Sequence, residues 1–443
     1  MTLRQEIQQK NKEGSFRAMF DLMKRRGDYR LILLSNMISQ LGDWLTYIAI
    51  SLLTVSSGEG GLALAGAYLV HTLPNAILAP FSGRVADRFD RKWVMILSAF
   101  FASIMTIFMC IAASKGEIWI LQALTFMRTC VSSFGITARQ AAIPSLVDQD
   151  ELYTANALSS IVWSTLFAVG VALGGFLSAT VGPTLAIGID SVTFLIALFI
   201  IWPLPALPPQ KNPAKKNPES THPIEAVQDL DHYESISQTV EMTPQSGLWT
   251  CWRFARRDPR LAAALLAKTP LGLINSAGWM TLTLLAALTF NDRSGAILGV
   301  FHASRALGTG VGPLVFYRIW PNSAVQSSLW ASVTTLVLLL SDTLWLSVLA
   351  LFFFGALLGY TWVRSSALIQ VFAPSEVLGR LTAFDFSATI TCQTLSILIM
   401  GGIYDLGYGL ETGLMIVLSI TAVLGAWLLK LERSALDYDR KIT

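Results

Sequence analysis

Long apolar runs separated by short polar segments make up most of this chain. Most runs are about 20 to 25 residues long, which is the length of one α-helical crossing of a bilayer. The stretch Leu152–Ile189 holds 38 residues without a charge, too many for one crossing, and Gly182-Pro183 supplies a break between two helices. The other helices are placed near 31–55, 62–82, 93–114, 118–138, 261–290, 295–317, 323–341, 344–366, 381–403 and 411–431.

This pattern predicts an all-α polytopic membrane protein with twelve transmembrane helices in two bundles of six. A polar, Pro-punctuated stretch lies between the two sets and resembles a disordered linker in composition. The predicted segments are 1–30 (amphipathic N-terminal segment), 31–204 (first bundle), 205–260 (linker), 261–431 (second bundle) and 432–443 (tail).

Composition supports the membrane class and excludes a set of soluble domains. Hydrophobic residues make up 53% of the chain and charged residues only 14%, and the mean hydropathy is +0.54. A charged share near half the usual value is too small to cover a soluble surface. The net charge of +3 gives no reason to expect a nucleic-acid partner.

Basic residues are distributed very unequally between the two ends of the predicted helices. If the N-terminus is cytoplasmic, the cytoplasmic segments hold 26 of the 32 Lys and Arg residues, and the other side holds Lys115 and Arg293. Cytoplasmic loops of membrane proteins carry the excess of Lys and Arg. We therefore expect both termini to lie in the cytoplasm.

Two amphipathic segments flank the predicted helices. Ser15–Arg26 and Gly247–Arg257 each mix large apolar side chains with several basic ones. Either segment fits a helix lying in the headgroup layer of the membrane or a solvated basic stretch leading into the next crossing.

No soluble-enzyme constellation stands out. The chain has no phosphate-binding G-x-x-x-x-G-K-[ST] loop, no H-E-x-x-H and no paired C-x-x-C, and its four cysteines fit small packing residues. We therefore expect a protein that is not an enzyme and has no cofactor or metal.

Charged residues inside the apolar runs are the candidates for function. Asp43 lies twelve residues after Leu31, about 18 Å along its helix at ~1.5 Å per residue, near the predicted midplane. A carboxylate at that depth is protonated, paired or water-facing, and each state can couple a proton to transport. Arg128 is the acid's nearest basic partner in depth. Asp190 and Arg305 also lie within predicted helices, whereas Lys268 and Arg364 lie near helix ends and are expected to snorkel.

One charged turn carries a family resemblance. The sequence from Gly83 to Lys92 reads G-x-x-x-D-R-x-x-R-K between the second and third predicted helices. It resembles the signature loop of the major facilitator superfamily, whose six-plus-six helix plan and cytoplasmic termini match the plan predicted here. Asp90 stands where the family loop usually has Gly.

Further motifs resemble one branch of that superfamily, which contains bacterial enterobactin-type exporters and macrolide efflux permeases. They are Gly42-Asp43-Trp44, Ala138-Arg139-Gln140-Ala141, Asp150-Glu151-Leu152, Ala155-Asn156-Ala157 and Asp190-Ser191. Two features depart from the superfamily's patterns. The second half has no acidic residue from Gly308 to Ser323, and Val171 stands where the antiporter motif has Pro.

The resemblance implies roles for the charged turn and for Arg128. Gly83 would let two helices approach closely, and Asp87 would face the amino end of the eleventh helix, latching the outward-facing state. Further gate candidates are Arg88, Arg91, Lys92, Arg139 and Asp385. Arg128 resembles the buried arginine of the family's fourth helix, and an Asp43–Arg128 pair is the leading hypothesis for coupling.

Together these observations predict a secondary active transporter of a bacterial inner membrane. We expect proton-coupled efflux of a small amphipathic molecule by alternating access in a monomer, with protons and membrane lipids as further partners. Two alternatives stay open: a lipid or lysolipid flippase on the same fold, and a non-transporting membrane scaffold or receptor that uses the linker for docking.

Overall fold

The computed structural model describes residues 16–148, 151–208, 248–290, 294–319, 323–341, 343–373 and 378–442. These residues form fifteen α-helices and one 3₁₀ turn (Ile143–Ser145), and no strand occurs among them. The helices are α1 (Phe16–Arg25), α2 (Gly27–Ser56), α3 (Gly61–Arg88), α4 (Arg91–Ser114), α5 (Ile118–Ala142), α6 (Leu152–Thr180), α7 (Pro183–Ile201), α8 (Leu248–Ala255), α9 (Pro259–Leu266), α10 (Thr269–Phe290), α11 (Ser294–Ile319), α12 (Val325–Leu339), α13 (Leu344–Phe372), α14 (Leu378–Asp405) and α15 (Leu410–Ile442).

Nine spans among the described residues are long and apolar enough to cross a membrane, with α9 and most of α10 counted as one span. The all-α membrane fold is therefore confirmed. Three expected crossings, α5, α11 and α12, are not among the nine. Helix α12 has only 15 residues, while Arg128 in α5 and Arg305 in α11 lower the hydropathy of those helices. The count of twelve crossings stays a prediction.

The chain divides into two compact units. The first lies within Met1–Lys211 and takes in Thr283–Ala303, and the second lies within Asn212–Leu282 and Ser304–Thr443. In the first unit α2 packs against α3, α5, α6 and α7; in the second, α13 packs against α9, α12 and α14. The predicted boundaries 31–204 and 261–431 stay a prediction, and the structure groups Thr283–Ala303 with the first unit instead.

Glycine and proline mark the predicted break in the long uncharged stretch. Helix α6 ends at Thr180 and α7 begins at Pro183. Between them Gly182 has φ of +90°, a left-handed conformation that costs glycine little. Pro183 then occupies the first helical position, where its missing N–H is no loss. The predicted turn at Gly182-Pro183 is confirmed.

The charged turn from Gly83 to Lys92 is mostly helical. Helix α3 continues to Arg88 and α4 begins at Arg91, so only Phe89 and Asp90 join them. The interpretation of this segment as a ten-residue loop is wrong, because Asp90 lets the next helix start at once. Its carboxylate accepts hydrogen bonds from Lys92 N at 2.9 Å and from Leu207 N at 3.1 Å. The acid that replaces the family's usual Gly is thus a helix cap.

Two other predicted elements differ in the structure. The helix expected at 261–290 is interrupted after α9 and resumes as α10, with Lys268 in the break. Helix α15 runs on to Ile442, so the residues predicted as a tail, 432–443, continue the last helix except for Thr443, which lies outside the described residues. Glu432 caps α12, since its carboxylate accepts from Ala324 N at 3.0 Å and from Ser323 Oγ at 2.6 Å.

Both amphipathic segments form helices that pack on protein. Met19 and Leu22 of α1 are buried against Leu158 and Val162 of α6. Most of the predicted linker, 209–247, lies outside the described residues. Its two ends are ordered, because Leu207 bonds to Asp90 and residues 248–255 form α8. The described part of 205–260 therefore belongs to the two units.

Cys251 of α8 provides a test of this packing. Its side chain is buried beside Phe254 and Leu381, and burial raises the pKa of its thiol. Because the thiolate is the reactive form, we expect slow maleimide labelling of Cys251 when Cys110, Cys130 and Cys392 are changed to Ala. Phe254→Ala loosens α8 and should speed labelling at least about tenfold.

The matched control is Arg253→Cys in a chain lacking the four native cysteines. Residue 253 lies on the exposed side of α8, so its labelling should be fast with or without Phe254→Ala. Equal labelling rates at positions 251 and 253 would contradict the docking of α8.

Candidate functional site

Three charged side chains from three helices meet inside the first unit. Arg128 on α5 lies between Asp43 on α2 and Asp190 on α7. Only 2% of the Arg128 side chain and none of Asp190 is exposed, whereas Asp43 is 37% exposed. The three residues named as coupling candidates in this half of the chain thus form one cluster.

Arg128 contacts both acids through one nitrogen. Its Nη1 donates to Asp43 Oδ1 and, at 3.3 Å, to Asp190 Oδ2. The guanidinium carbon also lies 5.6 Å from the Phe194 ring centre. Arg128 Nε is buried and has no hydrogen-bond acceptor among the described residues. A permanent charge at this depth needs counter-charge, and the two carboxylates supply it.

Asp190 is held by more donors than Asp43. Thr46 Oγ1 donates to its Oδ2 at 2.6 Å, and Thr193 Oγ1 donates to its Oδ1 at 3.1 Å. Gly42 makes this arrangement possible, because a Cβ at that position would collide with Asp190 Oδ1 and Thr193 Oγ1. Asp190 is therefore locked between α2, α5 and α7, while Asp43 keeps one side open.

Aromatic side chains follow Asp43 along α2 and pack against α6 and α3. The neighbouring Trp44 ring lies 4.7 Å from Phe167 and 6.5 Å from Trp163 of α6. Tyr47, one turn further along α2, lies 4.8 Å from the ring of His71.

A second buried ion pair lies in the other unit. Lys268 Nζ donates to Asp385 Oδ2 at 2.5 Å and to Ser366 Oγ at 3.0 Å. It also lies 4.7 Å from the Trp362 ring. The expectation that Lys268 snorkels is wrong, because the break between α9 and α10 turns its side chain toward Asp385 of α14. In this structure Asp385, proposed as a gate partner of the charged turn, has Lys268 as a basic partner, and its role in the gate stays a prediction.

Arg305 is buried in the second unit without joining the Lys268 pair. Its Nη1 donates to Asn275 Oδ1 at 3.2 Å, and its guanidinium lies 4.2 Å from the Trp279 ring. A cavity of about 10 Å³, at the lower limit for holding one water molecule, lies beside Arg305 and Phe354. Arg305 is thus held by an amide and an aromatic face at mid-helix in α11.

The gate candidates of the first unit separate into exposed and buried residues. Asp87 and Arg88 are exposed at the end of α3. Arg91 is buried, and it donates to Ala86 O at 3.3 Å and to Ser145 Oγ at 3.1 Å. Those bonds tie the end of α3 to the turn after α5. A Cβ at Gly83 would meet no described atom within 4 Å, and the close packing predicted there stays a prediction.

Lys92 and Arg139 complete the predicted set. Lys92 Nζ lies 5.7 Å from the Trp93 ring, and Arg139 lies in the last turn of α5. Asp150, part of a motif that carried the branch resemblance, lies outside the described residues. The roles of Lys92 and Arg139 in gating stay predictions.

Thr46 and Thr193 were not predicted from the sequence. Each lies three residues after an acid, Thr46 after Asp43 and Thr193 after Asp190. Residues three apart share a helix face, so a polar residue at that spacing inside an apolar run was a usable signal. The spacing did not show which acid each threonine contacts, since Thr46 follows Asp43 but donates, like Thr193, to Asp190.

The two acids should differ in their effect on stability. Asp190→Asn removes the more buried counter-ion of Arg128, a change that costs about 3 to 5 kcal/mol in buried pairs. We expect its unfolding temperature in detergent to fall well below that of Asp43→Asn, whose side chain is partly exposed. Thr193→Val is the milder companion variant. An Asp190→Asn protein as stable as the parent would contradict the locked geometry.

Known proteins resemble this chain over most of its length. The family model described as Major Facilitator Superfamily matches residues 32–315. The uncharacterized MFS-type transporter YfiS of Bacillus subtilis (strain 168) is 25% identical over 391 residues, which are 84% of this chain and 86% of that protein. The enterobactin exporter EntS of Citrobacter koseri is 25% identical over 397 residues, 86% of each chain.

Solved structures show the same fold. The nucleoside transporter NupG has a TM-score of 0.65 at 15% identity, covering 91% of this chain and 98% of that one. A bacterial homologue of the human lysosomal transporter Spinster, in an inward-facing and unoccupied conformation, has a TM-score of 0.67 at 14% identity, covering 93% and 98%. Because the family model spans more than half of the chain, the protein belongs to the major facilitator superfamily: it is a multi-pass membrane transporter of small molecules and not an enzyme.

Proposed function

We propose that this transporter is a proton-coupled exporter that moves a small amphipathic molecule by alternating access. The observation that carries the proposal is the buried cluster of Asp43, Arg128 and Asp190. Support for export comes from the similarity to proteins named as enterobactin exporters, which are 25% identical to this chain. The cargo class is inferred from that branch and from the aromatic cluster of Trp44, Trp163 and Phe167, which begins at the residue after Asp43.

Charge balance assigns different roles to the two acids. Two carboxylates and one guanidinium leave one net negative charge when all three are ionised, so one proton makes the cluster neutral. Asp190 is the fixed counter-ion, because Thr46, Thr193 and Arg128 all donate to its carboxylate. Asp43 is the group that exchanges a proton, because it is the exposed member.

The coupling follows from the shared Arg128 nitrogen. Protonation of Asp43 removes its charge and weakens its bond to Nη1, while Asp190 continues to neutralise Arg128. Release of the proton restores the excess negative charge, which is costly at this depth and favours the arrangement that opens Asp43 to water. In an inverted-repeat transporter, such a midplane change biases which side of the membrane is open.

The proposed orientation places both termini in the cytoplasm of a bacterium, with the protein in the inner membrane. The distribution of Lys and Arg supports it. In this orientation Gly83 and Asp87 lie at the cytoplasmic end of α3, where the family's gate operates. Arg91 contributes by keeping the end of α3 in place.

Asp43→Asn tests the coupling role. In proteoliposomes we expect pH-gradient-driven transport to fall at least about tenfold, because an amide neither binds nor releases the proton. Exchange of cargo across the membrane without a gradient should persist, since the binding surface is otherwise intact. Asp28→Asn, an exposed acid at the start of the same helix, should leave both activities unchanged.

Undiminished gradient-driven transport by Asp43→Asn would refute the assignment. Transport that is insensitive to the gradient in the parent protein would instead favour a facilitative lipid flippase, which needs no proton movement.

Asp87→Asn tests the gate. Asp87 is exposed, so its replacement should leave the unfolding temperature within about 1 °C. We expect the transport rate to fall several-fold, because the partial positive charge at the N-terminus of the eleventh predicted helix would lose its anionic partner. Arg30→Gln, an exposed change at the same predicted side, serves as the control. A normal rate in Asp87→Asn would remove this residue from the gate.

A further inference from the structure

Two short helices outside the spans occupy equivalent places in their units. Helix α1 precedes the first long helix of the first unit and packs on α6, the fifth in chain order. Helix α8 precedes the first long helix of the second unit, which is α9 together with α10. It contacts α14, which is the fifth long helix of that unit in chain order. Both α6 and α14 begin near these contacts, at Leu152 and Leu378. The placement repeats in spite of unrelated sequences.

Helix α1 is held by its apolar face and by an ionic clasp. Met19 and Leu22 are buried against α6. Directly after the helix, Arg26 pairs with Asp148 and with Glu151, the latter at 2.7 Å, and Arg25 reaches Glu151 at 3.2 Å. The hydrogen bond to Glu151 raises the pKa of Arg26, which therefore stays charged.

The opposite face of α1 is exposed and basic. Arg17, Phe20 and Lys24 recur at i, i+3 and i+7, which places them in one stripe. Phe20 is 54% exposed, and Lys24 Nζ lies 4.5 Å from its ring. An exposed aromatic ring beside two cations has an apolar part and a charged part, as membrane-surface helices do.

Helix α8 repeats this division with different residues. Cys251, Phe254 and Ala255 are buried against Leu381 and Ile369. Trp252 stacks on Phe384 of α14 at 6.3 Å between ring centres. Arg253, Arg256 and Arg257 are exposed, and their spacing of three and four residues puts them on one side of the helix and its last turn.

We propose that the two exposed basic faces, Arg17–Phe20–Lys24 of α1 and Arg253–Arg256–Arg257 of α8, bind the anionic phospholipid headgroups of the membrane leaflet next to them. Each face lies directly before a membrane-crossing helix, so the chain itself brings it to the bilayer surface. The cations complement phosphate, and each Lys or Arg near an anionic surface contributes about fivefold in affinity. That this leaflet is the cytoplasmic one rests on the proposed orientation.

Docking on the protein makes these faces more than a solvated lead-in. Because Met19, Leu22, Cys251 and Phe254 already fill the apolar side of each helix, the helices do not need lipid tails to fold. Headgroup binding at the outer faces of α1 and α8 would therefore hold the first turns of α6 and α14 at the membrane surface, because the two short helices pack there. The bound lipid is a ligand of preformed sites.

The test uses the full-length protein reconstituted in vesicles of phosphatidylcholine and phosphatidylglycerol at a 3:1 ratio. After gentle extraction, native mass spectrometry counts retained phosphatidylglycerol relative to phosphatidylcholine. We expect clear enrichment in the parent protein. Arg253→Gln/Arg256→Gln/Arg257→Gln should reduce this preference by up to about a hundredfold, and Arg17→Gln/Lys24→Gln by up to about twenty-five-fold.

Lys115→Gln, an exposed cation at the other end of α4, is the matched control and should change nothing. An unfolding temperature within about 2 °C of the parent shows that each variant is folded, since exposed substitutions cost little. Unchanged lipid preference in both multiple variants would overturn the proposal. A lipid preference that is absent in the parent and appears only when the acids of the stretch 225–241 are neutralised would also overturn it. That result would show that the basic faces bind this acidic segment of the chain and not lipid. The readout needs no transport, so it stands or falls independently of proton coupling.

Discussion

A single guanidinium, that of Arg128, sets the arrangement of the first unit. A permanent charge buried among apolar helices is tolerated only with counter-charges at bonding distance. Asp190 and Asp43 supply them from α7 and α2, so three helices far apart in sequence converge on one point. This convergence requires a glycine at position 42, since α2 approaches α7 too closely there for any side chain.

The second unit solves the same problem with a different balance. Among the described residues one cation, Lys268, and one anion, Asp385, neutralise each other there, and Ser366 and Trp362 complete the surroundings of the amine. The pair is therefore electrically complete, whereas the first cluster has one negative charge left for a proton. This difference is the physical basis for placing coupling in the first unit. The stretch of the second half from Gly308 to Ser323, which has no acidic residue, shows the same asymmetry.

The charged ends of the helices serve structure as much as function. Asp90, Asp258 and Glu432 accept hydrogen bonds from backbone N–H groups at the starts of α4, α9 and α12. Arg91, Arg26 and their partners join neighbouring helix ends. Short connections of this kind leave few exposed polar groups, and they position α1 and α8 beside the helices that follow.

Much of the fold was readable from the sequence alone. The apolar runs of about 20 residues, the Gly182-Pro183 turn and the acids Asp43 and Asp190 within apolar runs are local or composition-based signals. The bilayer enforces helical runs of that length because unpaired backbone groups are not tolerated in lipid. Helix ends were less accurate, since the extension of α3 to Arg88 and of α15 to Ile442 depends on caps and packing. The contact between Asp43 and Arg128 was anticipated from their similar depth, and the structure contains it. The other two pairs could not be read, because Arg128 is 62 residues from Asp190 and Lys268 is 117 from Asp385. The sequence alone determined which helices carry charges within apolar runs, and depth suggested the Asp43–Arg128 pair. Only the packing of α7 on α2 and α5, and of α14 on the break before α10, decided that Asp190 joins Arg128 and that Lys268 meets Asp385.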